Sequence, residues 1–93
     1  MSVTVHIPTI LRSLTAGSAD VVVSPQEATV QGTIDALETA HPGIRARLLD
    51  ESGTVRRFVN LYVGDEDIRS CGGLAAAVPA GGDISIIPAV AGG

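Results

Sequence analysis

The chain ends in Val90, Ala91, Gly92 and Gly93, a run of small residues close behind Pro88. Proline lacks the N–H that a β-ladder needs, so we expect Pro88 to end the last strand and release a tail. The five residues beyond it reach up to about 17 Å when extended. Because glycine has no Cβ, such a tail can thread a narrow channel. The pattern therefore predicts that the terminal carboxylate of Gly93 is the reactive group.

The chemistry of that carboxylate requires activation from outside the chain. A carboxylate is ionised at neutral pH and is a poor electrophile until one of its oxygens becomes a leaving group. Adenylation by ATP would supply the leaving group, but the sequence contains no GxxxxGK[ST] phosphate-binding loop. We therefore expect the chain to bind no cofactor, to contain no catalytic residue and to be the protein substrate of an enzyme that binds the ATP.

Other residues with reactive or charged side chains carry weaker signals. Cys71 has neither a histidine nor another base beside it in sequence, so we interpret it as structural. His6 and His41 lack metal-ligand spacing, and no metal site is predicted. Four arginines are interpreted as a solvated surface, with a docking patch for an acidic partner as the alternative. They are Arg45, Arg47, Arg56 and Arg57.

Composition excludes several classes of protein. The 93 residues carry a net charge of −4, with six arginines and no lysine, which argues against nucleic-acid binding. They are 45% hydrophobic and 17% charged, which excludes a disordered chain and fits one small domain. With no basic leader and no apolar run of about 20 residues, we expect no membrane association and a cytoplasmic location. The free chain is expected to be a monomer.

Alternating apolar and polar residues predict the strands of one sheet. The predicted strands cover residues 3–7, 21–23, 57–63 and 83–87, with a brief edge strand at Ile68. The first two are expected to pair as a hairpin, because residues 10–20 between them are rich in turn-forming types.

One amphipathic helix is predicted from the spacing of Val30, Ile34 and Leu37. We favour Thr29 as its N-cap, and the capping box of residues 24–27 is the alternative start. Gly32 inside it costs about 1 kcal/mol relative to alanine and therefore suggests a close contact between helix and sheet. A hairpin, a helix and three further strands describe an α+β fold of the ubiquitin-like β-grasp type. We expect a mixed sheet of about five strands packed on this one main helix.

The order of residues along the third long strand predicts a surface for partners. If the odd-numbered residues of 59–63 face the helix, alternation places Phe58 and Tyr62 on the opposite face. Ile87 is out of phase with its apolar neighbours and should join them. Exposed apolar patches often mark interfaces, so Phe58, Tyr62 and Ile87 are predicted to dock a partner.

Three segments carry a resemblance to a known family: TVHIPTILR near the start, FVNLYVGDEDIR in the middle and GGDISIIPAVAGG at the end. With them the whole chain resembles the ubiquitin-like sulfur carriers of bacteria, and in particular the CysO type of the ThiS/MoaD-like β-grasp family. The PAVAGG ending joined to FVN(I/L)YV is the most specific part of the match.

The resemblance implies that an E1-like activating enzyme adenylates Gly93 with ATP, that the C-terminus becomes a thiocarboxylate, and that this group donates sulfur. In the cysteine pathway the acceptor is O-phosphoserine, or its aminoacrylate, on a PLP-dependent cysteine synthase, and a metalloprotease then releases the cysteine. Other sulfur-inserting synthases, such as those for a thiosugar or a thiazole, are also compatible. Residues 1–88 would form the β-grasp domain and residues 89–93 a flexible reactive tail.

Two other functions stay open from the sequence. The chain could be a ubiquitin-like modifier that is conjugated to lysines of other proteins through Gly93. It could also be the small subunit of a complex similar to molybdopterin synthase, with its tail held permanently in the larger subunit. In each case the chain is not itself an enzyme.

Overall fold

The structure is a computed structural model, and it describes residues 2–88. Five strands and two α-helices follow one another along these residues. They are β1 (Val3–His6), β2 (Asp20–Val23), α1 (Val30–Ala40), α2 (Arg45–Leu48), β3 (Val59–Val63), β4 (Glu66–Asp67) and β5 (Asp83–Pro88). Short 3₁₀ helices at Thr9–Leu14, Ile68–Ser70 and Gly73–Ala75 complete the connections.

The strands form one mixed sheet in the order β2-β1-β5-β3-β4. The parallel pair β1–β5 lies at its centre, and the other neighbours are antiparallel. Val3 lies opposite Val23 and Val5 opposite Val21, which confirms the predicted hairpin. With α1 covering one face, this arrangement is the predicted β-grasp. The last strand therefore runs between the first and the third strands.

The main helix begins where the sequence predicted. The Thr29 side-chain oxygen accepts a hydrogen bond from the Gly32 N–H at 3.0 Å, which satisfies one of the free donors of the first turn. After Ala40 the chain turns through residues 41–44 into α2. The Glu38 carboxylate accepts hydrogen bonds from the N–H groups of Arg45 and Gly43, and these bonds lower the pKa of Glu38.

The core lies between the sheet and the two helices. Its largest fully buried side chains come from every layer of the fold: Val3, Val5, Val30, Leu37, Ile44, Leu48, Leu61, Val78 and Ile84. Apart from two buried threonines, Thr15 and Thr33, this space is filled by aliphatic residues, in keeping with the scarcity of aromatic residues in the sequence. Within residues 2–88, no helix has the length and apolarity that crossing a membrane requires.

Three local predictions were wrong. Ile68 is not an edge strand: the Asp67 carboxylate accepts the Arg69 N–H at 2.9 Å, which starts a 3₁₀ helix and buries Ile68. Strand β3 begins at Val59, after a turn at residues 57–58. Gly32 is required by the segment before the helix rather than by the sheet, because a Cβ there would lie 2.3 Å from the backbone oxygen of Glu27.

Candidate functional site: the root of the C-terminal tail

The described chain ends at Pro88, which is the last residue of β5 and pairs with Val59 on β3. Pro88 therefore still belongs to the sheet. The predictions for Val90, Ala91, Gly92 and Gly93, including that of a flexible tail, concern residues outside the described range. They stay predictions, as does the domain boundary at residue 88.

The three residues predicted to dock a partner lie around this root, but on two surfaces. Ile87 is 46% exposed and faces away from the helix, since its neighbours Ile84 and Ile86 are buried. Tyr62 is half-buried and lies on the same open face of the sheet, opposite Ser85.

Phe58 is 53% exposed but lies in the turn before β3, so strand alternation does not govern its direction. It lines a groove whose other walls include Ile10 and Pro88. The structure therefore brings Tyr62 and Ile87 together on the open face and places Phe58 at the neighbouring groove.

The open face also carries a charged cluster that sequence reasoning missed. His6 Nδ1 lies 2.7 Å from a carboxylate oxygen of Asp20, and Nε2 lies 3.0 Å from one of Asp83. A neutral imidazole has only one N–H, so donating both hydrogen bonds requires the protonated ring. The hydrogen bond to Asp20 has the largest effect on the pKa of His6. Together with the contact to Asp83 it raises this pKa, although partial burial of the ring acts in the opposite direction.

Little in the sequence signals the His6 cluster. Asp83 is 77 residues away from His6 and reaches it only because β1 and β5 pair in parallel. Asp20 is easier to foresee, because it is the direct cross-strand partner of His6 in the predicted hairpin.

A second polar cluster lies at the opposite edge of the sheet. Arg69 pairs with Asp67 at 2.7 Å and also donates a hydrogen bond to the Asn60 side chain at 3.2 Å. The hydrogen bonds from Arg69 lower the pKa of Asp67. Cys71 is exposed, and its Sγ contacts the Asp67 backbone oxygen at 3.4 Å. Its predicted structural role is consistent with that contact, which helps to fix the turn after β4.

The four arginines predicted as one basic group separate into two sets. Arg45 forms an ion pair with Asp35 of α1 at 3.0 Å. Arg47, Arg56 and Arg57 instead line the groove that contains Phe58. None of the clusters described here provides the nucleophile, base and oxyanion donors of an active site. What the described surface offers is contact area around the point where the tail begins.

A β-grasp fold with a mixed sheet, followed by a C-terminal sequence of small residues, is typical of the class of ubiquitin-like carrier and modifier proteins. The model of the ThiS family matches residues 5–93. The chain belongs to this family.

Named relatives place it more closely. It is 50% identical to "Sulfur carrier protein CysO" of Mycobacterium tuberculosis, with all of both chains covered. It is 34% identical to "Small archaeal modifier protein 3" of Haloferax volcanii over 72% of each chain. Among solved structures it is similar to the Amycolatopsis orientalis BexX/CysO complex, with a TM-score of 0.87, 52% identity, and 98% of this chain and 99% of that chain covered.

These findings confirm the family, the β-grasp fold and the sulfur-carrier function predicted from the sequence. A sulfur carrier supplies its own terminus to enzymes and is not one itself.

Proposed function

We propose that this sulfur carrier works through Gly93, whose carboxylate is adenylated by an E1-like activating enzyme that binds ATP. A carboxylate oxygen attacks the α-phosphate of ATP and pyrophosphate leaves. A sulfide donor then attacks the acyl carbon and AMP leaves, which yields the thiocarboxylate. Sulfur is the more nucleophilic atom of this group, so it can attack an acceptor that a carboxylate would not.

The observation that carries this proposal is the 50% identity with a CysO sulfur carrier over an alignment that covers the whole of both chains and therefore reaches the Gly-Gly end of this one. That relationship favours cysteine as the product, made from O-phosphoserine on a PLP-dependent synthase, with a metalloprotease releasing it from the tail. The BexX/CysO complex favours a second kind of acceptor, another sulfur-inserting synthase. A cytoplasmic location and a monomeric free state stay predictions.

We place the docking of these enzymes on the surface around the tail root. Tyr62 and Ile87 form its part on the open face, and Phe58 forms its part at the groove. These three residues do not have to lie beside the reactive carboxylate, because the tail carries that group into the enzyme. Ordering a glycine-containing tail in the enzyme costs conformational entropy and so lowers the affinity. The folded surface therefore has to supply binding free energy that offsets this cost.

Intact-mass measurement after incubation with the cognate activating enzyme, ATP and sulfide tests the role of Gly93. The wild-type chain should show replacement of one oxygen by sulfur, and deletion of Gly93 should abolish it. Cys71→Ser is the matched control, since it removes the exposed thiol and leaves the C-terminus unchanged, and it should keep the full mass gain. Persistence of the gain in the deletion variant, or its loss in Cys71→Ser, would show that sulfur is not carried at the terminus.

A role as a protein modifier is the second candidate, favoured by the 34% identity with a small archaeal modifier protein. Activated Gly93 would then form an amide with a lysine of another protein. The chain contains no lysine, so it cannot be extended through its own side chains. A covalent adduct of the whole chain on a target protein, found in place of the thiocarboxylate, would favour this function.

A further inference from the structure

A groove of about 460 Å³ opens beside the root of the tail, between the 3₁₀ helix after β1 and the turn before β3. Its size lies within the range of about 300–1,000 Å³ that is usual for ligand pockets. Seven apolar residues line it: Pro8, Ile10, Leu11, Phe58, Val59, Ile86 and Pro88. Pro88 belongs to this wall, so any protein that takes up the residues beyond Pro88 comes close to the groove.

The apolar part of the groove includes two of the most exposed large hydrophobic residues of the described chain. Ile10 is 70% exposed, and Phe58 is 53% exposed. Two large apolar side chains that share one concave surface beside polar groups are typical of a binding site rather than of scattered surface residues.

The rim of the groove is basic. Arg47 comes from α2, while Arg56 and Arg57 come from the segment before β3. Asp50 is the one carboxylate among the lining residues, but its Oδ1 accepts the N–H groups of Ser52 and Thr54 at 2.9 and 3.1 Å. Within residues 2–88, no carboxylate lies within 4 Å of the three arginine guanidinium groups.

Two of the three arginines outside the groove differ from these three. Arg45 and Arg69 are paired with Asp35 and Asp67, at 3.0 and 2.7 Å. Arg12 has no carboxylate within 4 Å among residues 2–88 either, and its Nε donates a hydrogen bond to the Ile7 backbone oxygen at 3.1 Å. In a chain with a net charge of −4, three of the four arginines that lack a carboxylate partner on the described surface therefore lie at one groove. Arg56 is held in place, since its Nε donates a hydrogen bond to the Ala46 backbone oxygen at 2.8 Å.

We propose that this groove binds an acidic segment, carrying at least one apolar side chain, on the enzyme that takes up the tail. The carboxylates of that segment would pair with Arg47 and Arg57, and its apolar side chain would contact Ile10 and Phe58. The inference rests on the proposed sulfur-carrier function, because that function brings an enzyme to Pro88. It adds to that function the chemistry of the partner surface.

Binding to the cognate activating enzyme tests the proposal. The double variant Arg47→Gln/Arg57→Gln should weaken binding about fivefold at low salt and should flatten its salt dependence. The matched control Arg45→Gln/Arg69→Gln removes the same charge outside the groove and should change affinity less than twofold. Equal effects of the two double variants would overturn the proposal.

Intact mass at saturating enzyme separates this inference from the proposed function. Because binding is then complete, Arg47→Gln/Arg57→Gln should reach the same final extent of sulfur-for-oxygen replacement as the wild type. A wild-type chain that gains no sulfur contradicts the proposed function itself. A wild-type chain that gains sulfur, with affinity unchanged in Arg47→Gln/Arg57→Gln, contradicts the groove alone.

A probe that needs no enzyme gives a second test. In an NMR titration, a synthetic peptide of alternating glutamate and leucine should shift the methyl signals of Ile10, Leu11 and Ile86 more than that of Val22. The same peptide with glutamine in place of glutamate should lose most of the effect. The proposal fails if millimolar peptide causes no signal shifts at the groove, or if inorganic phosphate causes the same shifts as the peptide. It also fails if the groove mediates self-association of the chain that Arg47→Gln/Arg57→Gln removes.

Discussion

On the face that packs against α1, neighbouring strands of the sheet present Leu61 and Ile84, each 1% exposed. On the opposite face a continuous row of cross-strand partners contains His6, Ser85 and Tyr62, and all three are half-buried. The same strands build both faces, because successive residues of a strand point to opposite sides of the sheet. The covered face is aliphatic, while the open face combines charges, hydroxyl groups and an exposed apolar patch.

The difference between the faces separates the residues that keep the domain folded from those free to meet a partner. A side chain in the covered layer cannot contact another protein unless the domain opens. Tyr62 and Ile87 can be reached without any such change. Ile87 lies on β5, the strand that leads into the tail, and Tyr62 lies on the neighbouring strand β3. Substitutions on the two faces should therefore affect different measurements.

The largest effect is expected on the covered face. Leu61→Ala should lower the free energy of unfolding by roughly 2–5 kcal/mol, because it removes a buried side chain and leaves a cavity. Tyr62→Ala, one residue away on the half-buried face, should cost less than half as much. Urea denaturation with unchanged m-values would measure both. Similar losses for the two variants would mean that the open face contributes to stability as much as the core does.

The second effect should appear in binding, measured on variants that remain folded. Tyr62→Ala/Ile87→Ala should weaken binding to the activating enzyme roughly fivefold or more, since loss of an interface anchor commonly costs above about 1 kcal/mol. The matched control is Val22→Ala, which removes an exposed side chain from the same face at the far edge strand β2. Calorimetric titration of folded variants would measure the change. An equal loss in Val22→Ala would contradict a patch at the tail root.

Much of this comparison could be predicted from the sequence, because it depends on local periodicity. The alternation in β3 places Leu61 in the core and Tyr62 on the open face, and the spacing within α1 identifies its buried stripe. The Thr29 cap follows equally from a local preference for threonine at that position.

What the sequence did not predict depends on contacts between distant segments. Phe58 precedes its strand, so alternation could not give its direction. The difference between Arg45 and Arg47, two residues apart, arises because only Arg45 reaches Asp35 of α1. The contact between His6 and Asp83 requires knowledge that the first and last strands pair in parallel. The tail residues, by contrast, were identified from composition alone, and their chemistry stays a prediction.

The smallest expected effect is a pH-dependent contribution of the His6 cluster to stability. Asp20 of β2 and Asp83 of β5 flank His6 on both sides and raise its pKa in the folded chain above the ordinary value of about 6.5. A raised folded pKa means that the stabilisation is fully present below the unfolded pKa and is lost as pH rises through the folded pKa.

The His6 side chain is 44% exposed, so solvent screens the cluster and its contribution should be small. The difference in unfolding free energy between wild type and His6→Gln, measured by urea denaturation, should be larger near pH 5.5 than near pH 8.5. Subtracting the variant removes the titration of all other groups, including Asp67 and Glu38, whose lowered pKa values affect stability only at more acidic pH. High salt should reduce the difference at the lower pH, because the cluster is partly exposed. If the difference in unfolding free energy is the same at both pH values, His6 stabilises the domain through packing alone. The ion pairs of His6 would then contribute nothing to holding β1, β2 and β5 together on the open face.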